Sequence, residues 1–109
     1  MSDNLPELSH LQFAVLDVAG TSTISGKELR KALAAVHGLN KSGPAFYQMM
    51  ARLEEAKFVK GWYEQQVIDG QIIKERNYEI TANGIRALNH TKAFYRRSRG
   101  AQALKPAFG

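Results

Sequence analysis

The side chains with chemistry to offer gather between Lys41 and Arg52. Gln48 carries an amide that can pair bidentately with an adenine edge, and Tyr47 a phenol that reaches a phosphate oxygen or meets a thymine methyl. Lys41, Ser42 and Gly43 stand where a helix begins and where its free N–H groups can hold an anion. Ala45, Tyr47, Gln48, Ala51, Arg52 and Glu55 are left on or near one side by an apolar stripe of Phe46, Met49, Met50, Leu53 and Ala56. That pattern belongs to a helix presenting one face to a groove and burying the other. Two alternatives stand beside it: Tyr47 packing against the domain, and Arg52 forming a structural charge pair with Glu54. Lys74 and Arg76 add cations on a second element, either as phosphate contacts or as a solvated face.

Catalytic chemistry has no comparable grouping. His10, His37 and His90 fall in separate elements, there is no Cys, and no HExxH pair or phosphate-cradling Gly loop follows a strand. Asp17 and Glu28 are single carboxylates. A non-enzymatic protein with no metal and no cofactor is expected.

The elements that must position these residues are marked in the sequence. Ser9 and Gln12 have capping-box spacing, and Leu8, Leu11, Val15 and Val18 repeat at helical intervals, giving a first helix from about Pro6 to Ala19 that stops at Gly20. Thr21 to Ile24 is a short β-branched stub. Ser25 with Glu28 opens a second helix that runs to about His37, and Gly38 follows as its terminator. Ser42, Gly43 and Pro44 open the third. Phe58 to Val67 and Ile72 to Ile80 then read as two strands around an Asp69-Gly70 turn. Along the second arm Ile72, Lys74, Arg76, Tyr78 and Ile80 share a face. Thr81 caps a last helix through about Ser98. The order is three helices, a hairpin and a final helix, a mainly α fold of winged helix-turn-helix plan.

A chain of 109 residues holds one compact domain. Composition is ordinary for a soluble protein, at 44% apolar and 23% charged, and no apolar run approaches the ~20 residues of a membrane span. With no Cys and no secretory signal, a cytoplasmic location and no membrane partner are expected. The net charge of +5 is uneven: residues 1–79 hold nine basic and ten acidic side chains, whereas Arg86, Lys92, Arg96, Arg97, Arg99 and Lys105 follow with no acidic one. Electrostatic affinity for a polyanion is therefore expected from the C-terminal third, with Arg96 and Arg97 as contacts.

On these residues the chain resembles the PadR-like transcriptional regulators. Their helix-three pattern of aliphatic, Tyr, two variable positions, Leu, one variable position and Arg-Leu-Glu stands here as Phe46 to Glu54, with Met50 at the Leu position. Their Tyr-x-aliphatic-Thr-x-x-Gly signature stands as Tyr78 to Gly84, and LSHLQFAVLDV is similar to their first helix. The likeness covers most of residues 5–98. It departs at the wing, QVIDGQIIKER, which is acidic at the turn where the family is commonly Arg- and Gly-rich, and at the single helix left for dimerisation.

The resemblance implies a winged helix-turn-helix DNA-binding domain over 1–80 and a C-terminal dimerisation helix over 81–98, while the lack of periodicity beyond it marks 99–109 as a flexible basic tail. It further implies a sequence-specific, double-stranded DNA-binding transcriptional regulator, a repressor acting as a homodimer on a pseudo-palindromic operator. Leu88, Thr91, Phe94 and Tyr95 are the expected dimer interface, with Leu88 also read as core. Trp62 and Tyr63 belong either to the core or to a small-molecule effector pocket between the core and the last helix. The competing expectation is a winged-helix module for protein contact without specific DNA binding.

Overall fold

The computed structural model describes residues 8–104, with side chains through Arg97. Its elements are α1 (His10–Ala19), β1 (Ile24–Ser25), α2 (Gly26–His37), α3 (Gly43–Glu55), β2 (Val59–Ile68), β3 (Gln71–Ile80) and α4 (Ala82–Leu104). The strands form an antiparallel sheet in the order β1-β3-β2. This is the expected winged helix-turn-helix plan, with β1 as the third strand.

Local signals set the helix starts. At α1 both halves of the capping box form: the Gln12 amide donates to Ser9 Oγ at 3.1 Å and the Ser9 amide to Gln12 Oε1 at 3.0 Å. An extended Ser9 places the first turn at His10, later than the expected start near Pro6, which itself lies outside the described residues. At α2 only half the box forms. The Glu28 amide donates to Ser25 Oγ at 3.1 Å, while the Glu28 carboxylate accepts from the Ser25 hydroxyl and not from its amide. Gly38 closes α2 in the left-handed conformation.

The core lies where α1, α2 and α3 meet the base of the sheet. Leu16, Leu29, Leu33, Phe46, Met50 and Leu53 are fully buried there, and Tyr78, Ile80 and Val59 bring the wing strands into the same cluster. Each such side chain contributes about 1.5–3 kcal/mol relative to exposure. The hairpin is paired over its whole length, from Val59↔Ile80 to Ile68↔Gln71, and turns on Asp69 and Gly70 at φ 50° and 78°. Positive φ at both central residues is the two-residue turn whose twist matches paired strands.

α4 is tied to the end of α3. Thr81 Oγ1 accepts from the Gly84 amide at 3.0 Å and donates to the Lys57 carbonyl at 2.6 Å, and the Thr81 amide donates to the Phe58 carbonyl at 3.0 Å. A side chain at Gly84 would run into that Phe58 carbonyl and into Ile80. α4 continues to Leu104, past the end expected near Ser98. Ala101, Gln102, Ala103 and Leu104 are strong helix formers, and one Gly at 100 does not stop them. Lys105, in the expected basic tail, lies outside the described residues.

Candidate nucleic-acid interface

α3 buries Phe46, Met50 and Leu53 and leaves Ala45, Tyr47, Gln48, Ala51 and Arg52 exposed, as its stripe predicts. Ser42 caps it by accepting from the Ala45 amide at 3.3 Å. Pro44 has no N–H to offer, so the Gly43 amide is the donor of that turn left for an anion.

Tyr47 divides two clefts. Its ring packs on Gly26 at the start of α2 and stands edge-on to Phe46, yet 41% of the residue remains exposed. Packing and solvent exposure, open alternatives in the sequence, coexist. On one side of it, Lys27, Arg30, Lys31, Lys41 and Ser42 line a cleft of about 770 Å³ between α2 and the start of α3, with no carboxylate among its lining residues. Arg30 Nε donates to the Lys41 carbonyl at 2.8 Å and fixes the loop between the helices. Four cations around a helix N-terminus form an anion-attracting concavity.

Lys27, Arg30 and Lys31 are absent from the residues expected from sequence. A running charge tally averages them with distant acidic residues, whereas their spacing of three and four puts them on one helical face. That spacing is the usable signal. Lys27, Arg30, Lys31 and Lys41 thus form a cationic surface within residues 1–79, in addition to the one expected beyond residue 80. Arg96 and Arg97 are exposed on α4 and line none of the clefts beside α3.

A second recess, between α1 and α3, is lined by Ser9, Gln12, Lys41, Ala45, Gln48 and Arg52. Arg52 does not pair with Glu54, because residues two apart on a helix do not face one another. Glu54 instead accepts from Arg76 Nη2 at 2.7 Å, across the cleft between α3 and the wing. Tyr47, Ala51, Tyr63, Lys74 and Tyr78 complete that cleft. The Arg76 guanidinium lies 4.7 Å from the Tyr63 ring centre and 5.6 Å from that of Tyr78, and Lys74 Nζ lies 5.6 Å from Tyr63.

Two members of this group are shifted. Desolvation alone would lower the Arg76 pKa, but hydrogen bonding and the charges of Glu54 and Tyr78 outweigh it, and it rises. Burial pushes the Tyr78 phenol up, against the pull of the Arg76 cation.

Other expected sites separate. Trp62 and Tyr63 do not share a pocket, since neighbours on a strand point to opposite faces. Tyr63 faces α3, whereas Trp62 lies with Lys60 and Glu79 on the other side and its indole donates to Glu64 at 3.4 Å. On α4, Leu88 and Thr91 are buried within the chain, while Phe94 and Tyr95 are exposed, with Tyr95 edge-on to Phe13 at 5.4 Å. The wing tip carries Val67 and Ile72, 74% and 71% exposed, with Ile68 and Ile73 beside them.

No protein-family model matches the sequence, and no curated protein matches it. Solved structures do match in shape. Bacillus subtilis PadR, in complex with operator DNA, aligns with a TM-score of 0.62 and 17% identity over 78% of this chain and 47% of that one. RosR of H. salinarum aligns with 0.64 and 18% over 95% and 96%, and a transcriptional regulator from Clostridium thermocellum with 0.61 and 18% over 91% and 89%. The fold is that of the PadR-like winged-helix proteins.

Proposed function

We propose that the chain is a sequence-specific, double-stranded DNA-binding transcriptional regulator, acting in the cytoplasm as a homodimeric repressor that occupies a pseudo-palindromic operator. The observation that carries this is the cleft of Lys27, Arg30, Lys31 and Lys41 beside the exposed face of α3. Phosphates of one strand bind in that cleft and at the Gly43 amide, which sets Gln48, Tyr47 and Arg52 against base edges in the adjoining major groove. The likeness in fold to a PadR solved with operator DNA supports duplex DNA as the partner. Dimerisation through the exposed part of α4 brings two copies of α3 to grooves about 34 Å apart.

The acidic turn and apolar tip of the wing favour a second reading, in which the domain is a winged-helix module for protein contact without specific DNA binding. Titration with salt separates the two. Affinity of the native chain for duplex is expected to fall steeply between about 50 and 200 mM salt, and Lys27→Ala with Lys31→Ala to reduce the slope by about 0.9 for each phosphate no longer neutralised, on every sequence alike. Gln48→Ala is expected to weaken the selected operator and leave random duplex unchanged. No duplex binding by the native chain at about 50 mM salt sinks the DNA reading.

A further inference from the structure

We propose that Glu54 is an internal competitor for Arg76: the guanidinium is held by Glu54 in the free protein and on random duplex, and exchanges that carboxylate for a backbone phosphate only when the operator is seated. The inference rests on the DNA-binding reading and adds to it a device that discounts binding to random sequence.

Four observations carry it. The pair closes at 2.7 Å, yet its side chains are 22% and 27% exposed, so the contact sits in an open cleft and not inside the core. The Arg76 guanidinium lies over the rings of Tyr63 and Tyr78, 4.7 and 5.6 Å from their centres, which holds it in the cleft, and its five N–H donors exceed what one carboxylate oxygen takes. Gly61, opposite Tyr78, makes room for the pair: a side chain there would lie 2.9 Å from Arg76 Nη2, Glu54 Oε1 and Tyr78 Cε1 alike. Finally, the cleft opens beside the exposed side of α3, with Tyr47 and Ala51 in its wall, and Lys74 leaves it with one unneutralised cation while the pair is closed.

A carboxylate placed there costs affinity for any phosphate that approaches Arg76. Removing it frees a cation already oriented toward the duplex. A partly exposed ion pair contributes little to stability by itself, which leaves a purely structural reason for the arrangement weak. Glu54 is thus a positioning residue, acting on DNA through Arg76.

The test measures binding of random-sequence duplex over about 50–200 mM salt by the full chain, as native protein, Glu54→Gln, Arg76→Gln and the double variant, each checked for folding by thermal melting. Glu54→Gln is expected to bind random duplex several-fold more tightly at low salt, with the slope of log K against log salt steeper by about 0.9, as one more neutralised phosphate requires. The double variant is expected to match Arg76→Gln, since the gain needs the freed guanidinium. Should Glu54→Gln not fold, Glu54→Asp, which withdraws the carboxylate by one methylene, is expected to steepen the slope by a smaller amount. A slope unchanged by either Glu54 variant, with native binding intact, overturns the competition and leaves a strut. Absence of duplex binding by the native chain removes both the competition and the reading beneath it.

Discussion

Lys57 occupies the left-handed region at φ 65°, and it does so because α3 ends in a turn where the Lys57 amide returns to the Glu54 carbonyl and the Phe58 amide to that of Leu53. Such a closure suits Gly, and a side chain in this conformation costs about 1–2 kcal/mol. Lys57→Gly is therefore expected to raise stability by about 0.5–1 kcal/mol, after the entropic cost of a more flexible unfolded chain, seen as a rise of a few degrees in Tm. Gly84 has the opposite character. Its close approach to the Phe58 carbonyl lets α4 lie against the junction of α3 and the wing, so Gly84→Ala is expected to cost about 1–3 kcal/mol in a denaturant titration. Tyr78 gives a pH-dependent signature. Its phenol is held protonated by burial, so its folded pKa lies above its unfolded value near 10. The associated stability is complete below about pH 10 and is lost as pH rises through the folded value, because the unfolded chain releases that proton first. Urea unfolding at about pH 9, 10 and 11 is expected to show a steeper alkaline loss for the native chain than for Tyr78→Phe; parallel curves would refute the assignment.

Among the elements, legibility followed how local the cause was. The caps at Ser9, Ser25 and Ser42, the Asp69-Gly70 turn and the junction at Thr81 are each written in four or five consecutive residues, and each appears in the structure. The Tyr78 to Gly84 signature also has a physical content: Tyr78 and Ile80 enter the core, Thr81 caps α4 and holds Lys57, and Gly84 permits the approach. What the sequence hid depends on pairing across elements. Glu54 finds Arg76 only once the wing folds back on α3, and the basic cleft needs α2 set against the loop that carries Lys41. Trp62 and Tyr63 are neighbours in sequence, yet strand geometry sends them apart. The same alternation shapes the wing tip, where Val67 faces Ile72 across the ladder and both are bare to solvent. Val67→Thr with Ile72→Thr keeps β-branching while removing that patch. Duplex affinity of the pair variant, by fluorescence anisotropy, is expected to equal that of the native chain, with the mass in light scattering unchanged. A loss of affinity would put the wing tip on the nucleic acid.

At the scale of the molecule, the chain is longer than its core requires. Its radius of gyration is 16.8 Å, against ~13 Å for a compact domain of about 100 residues, and it spans 65 Å along its longest axis. α4 contributes much of that length, since 23 residues of helix measure about 35 Å. Its described buried residues end at Thr91, and beyond it Phe94 is 44% exposed. A helix that leaves Phe94 exposed among its described residues beyond Thr91 suits an isologous contact with a second copy. Under the proposed function two copies would also resolve an energetic difficulty, because one set of four cations and one Gln48 would supply modest affinity, whereas linked half-sites would multiply it by effective concentration. Tyr95 is a poor probe of this contact, since its ring is edge-on to Phe13 and its loss would damage the α1 and α4 packing. Phe94 is the better one. Arg96 and Arg97 lie close by, so like charges flank the proposed interface and salt should strengthen dimerisation while it weakens DNA binding. Phe94→Glu is expected to give a monomer by light scattering with unchanged thermal stability, and to lower operator affinity by about 10²-fold while random-duplex binding per chain is retained. An unchanged mass would show that α4 is not where two copies meet.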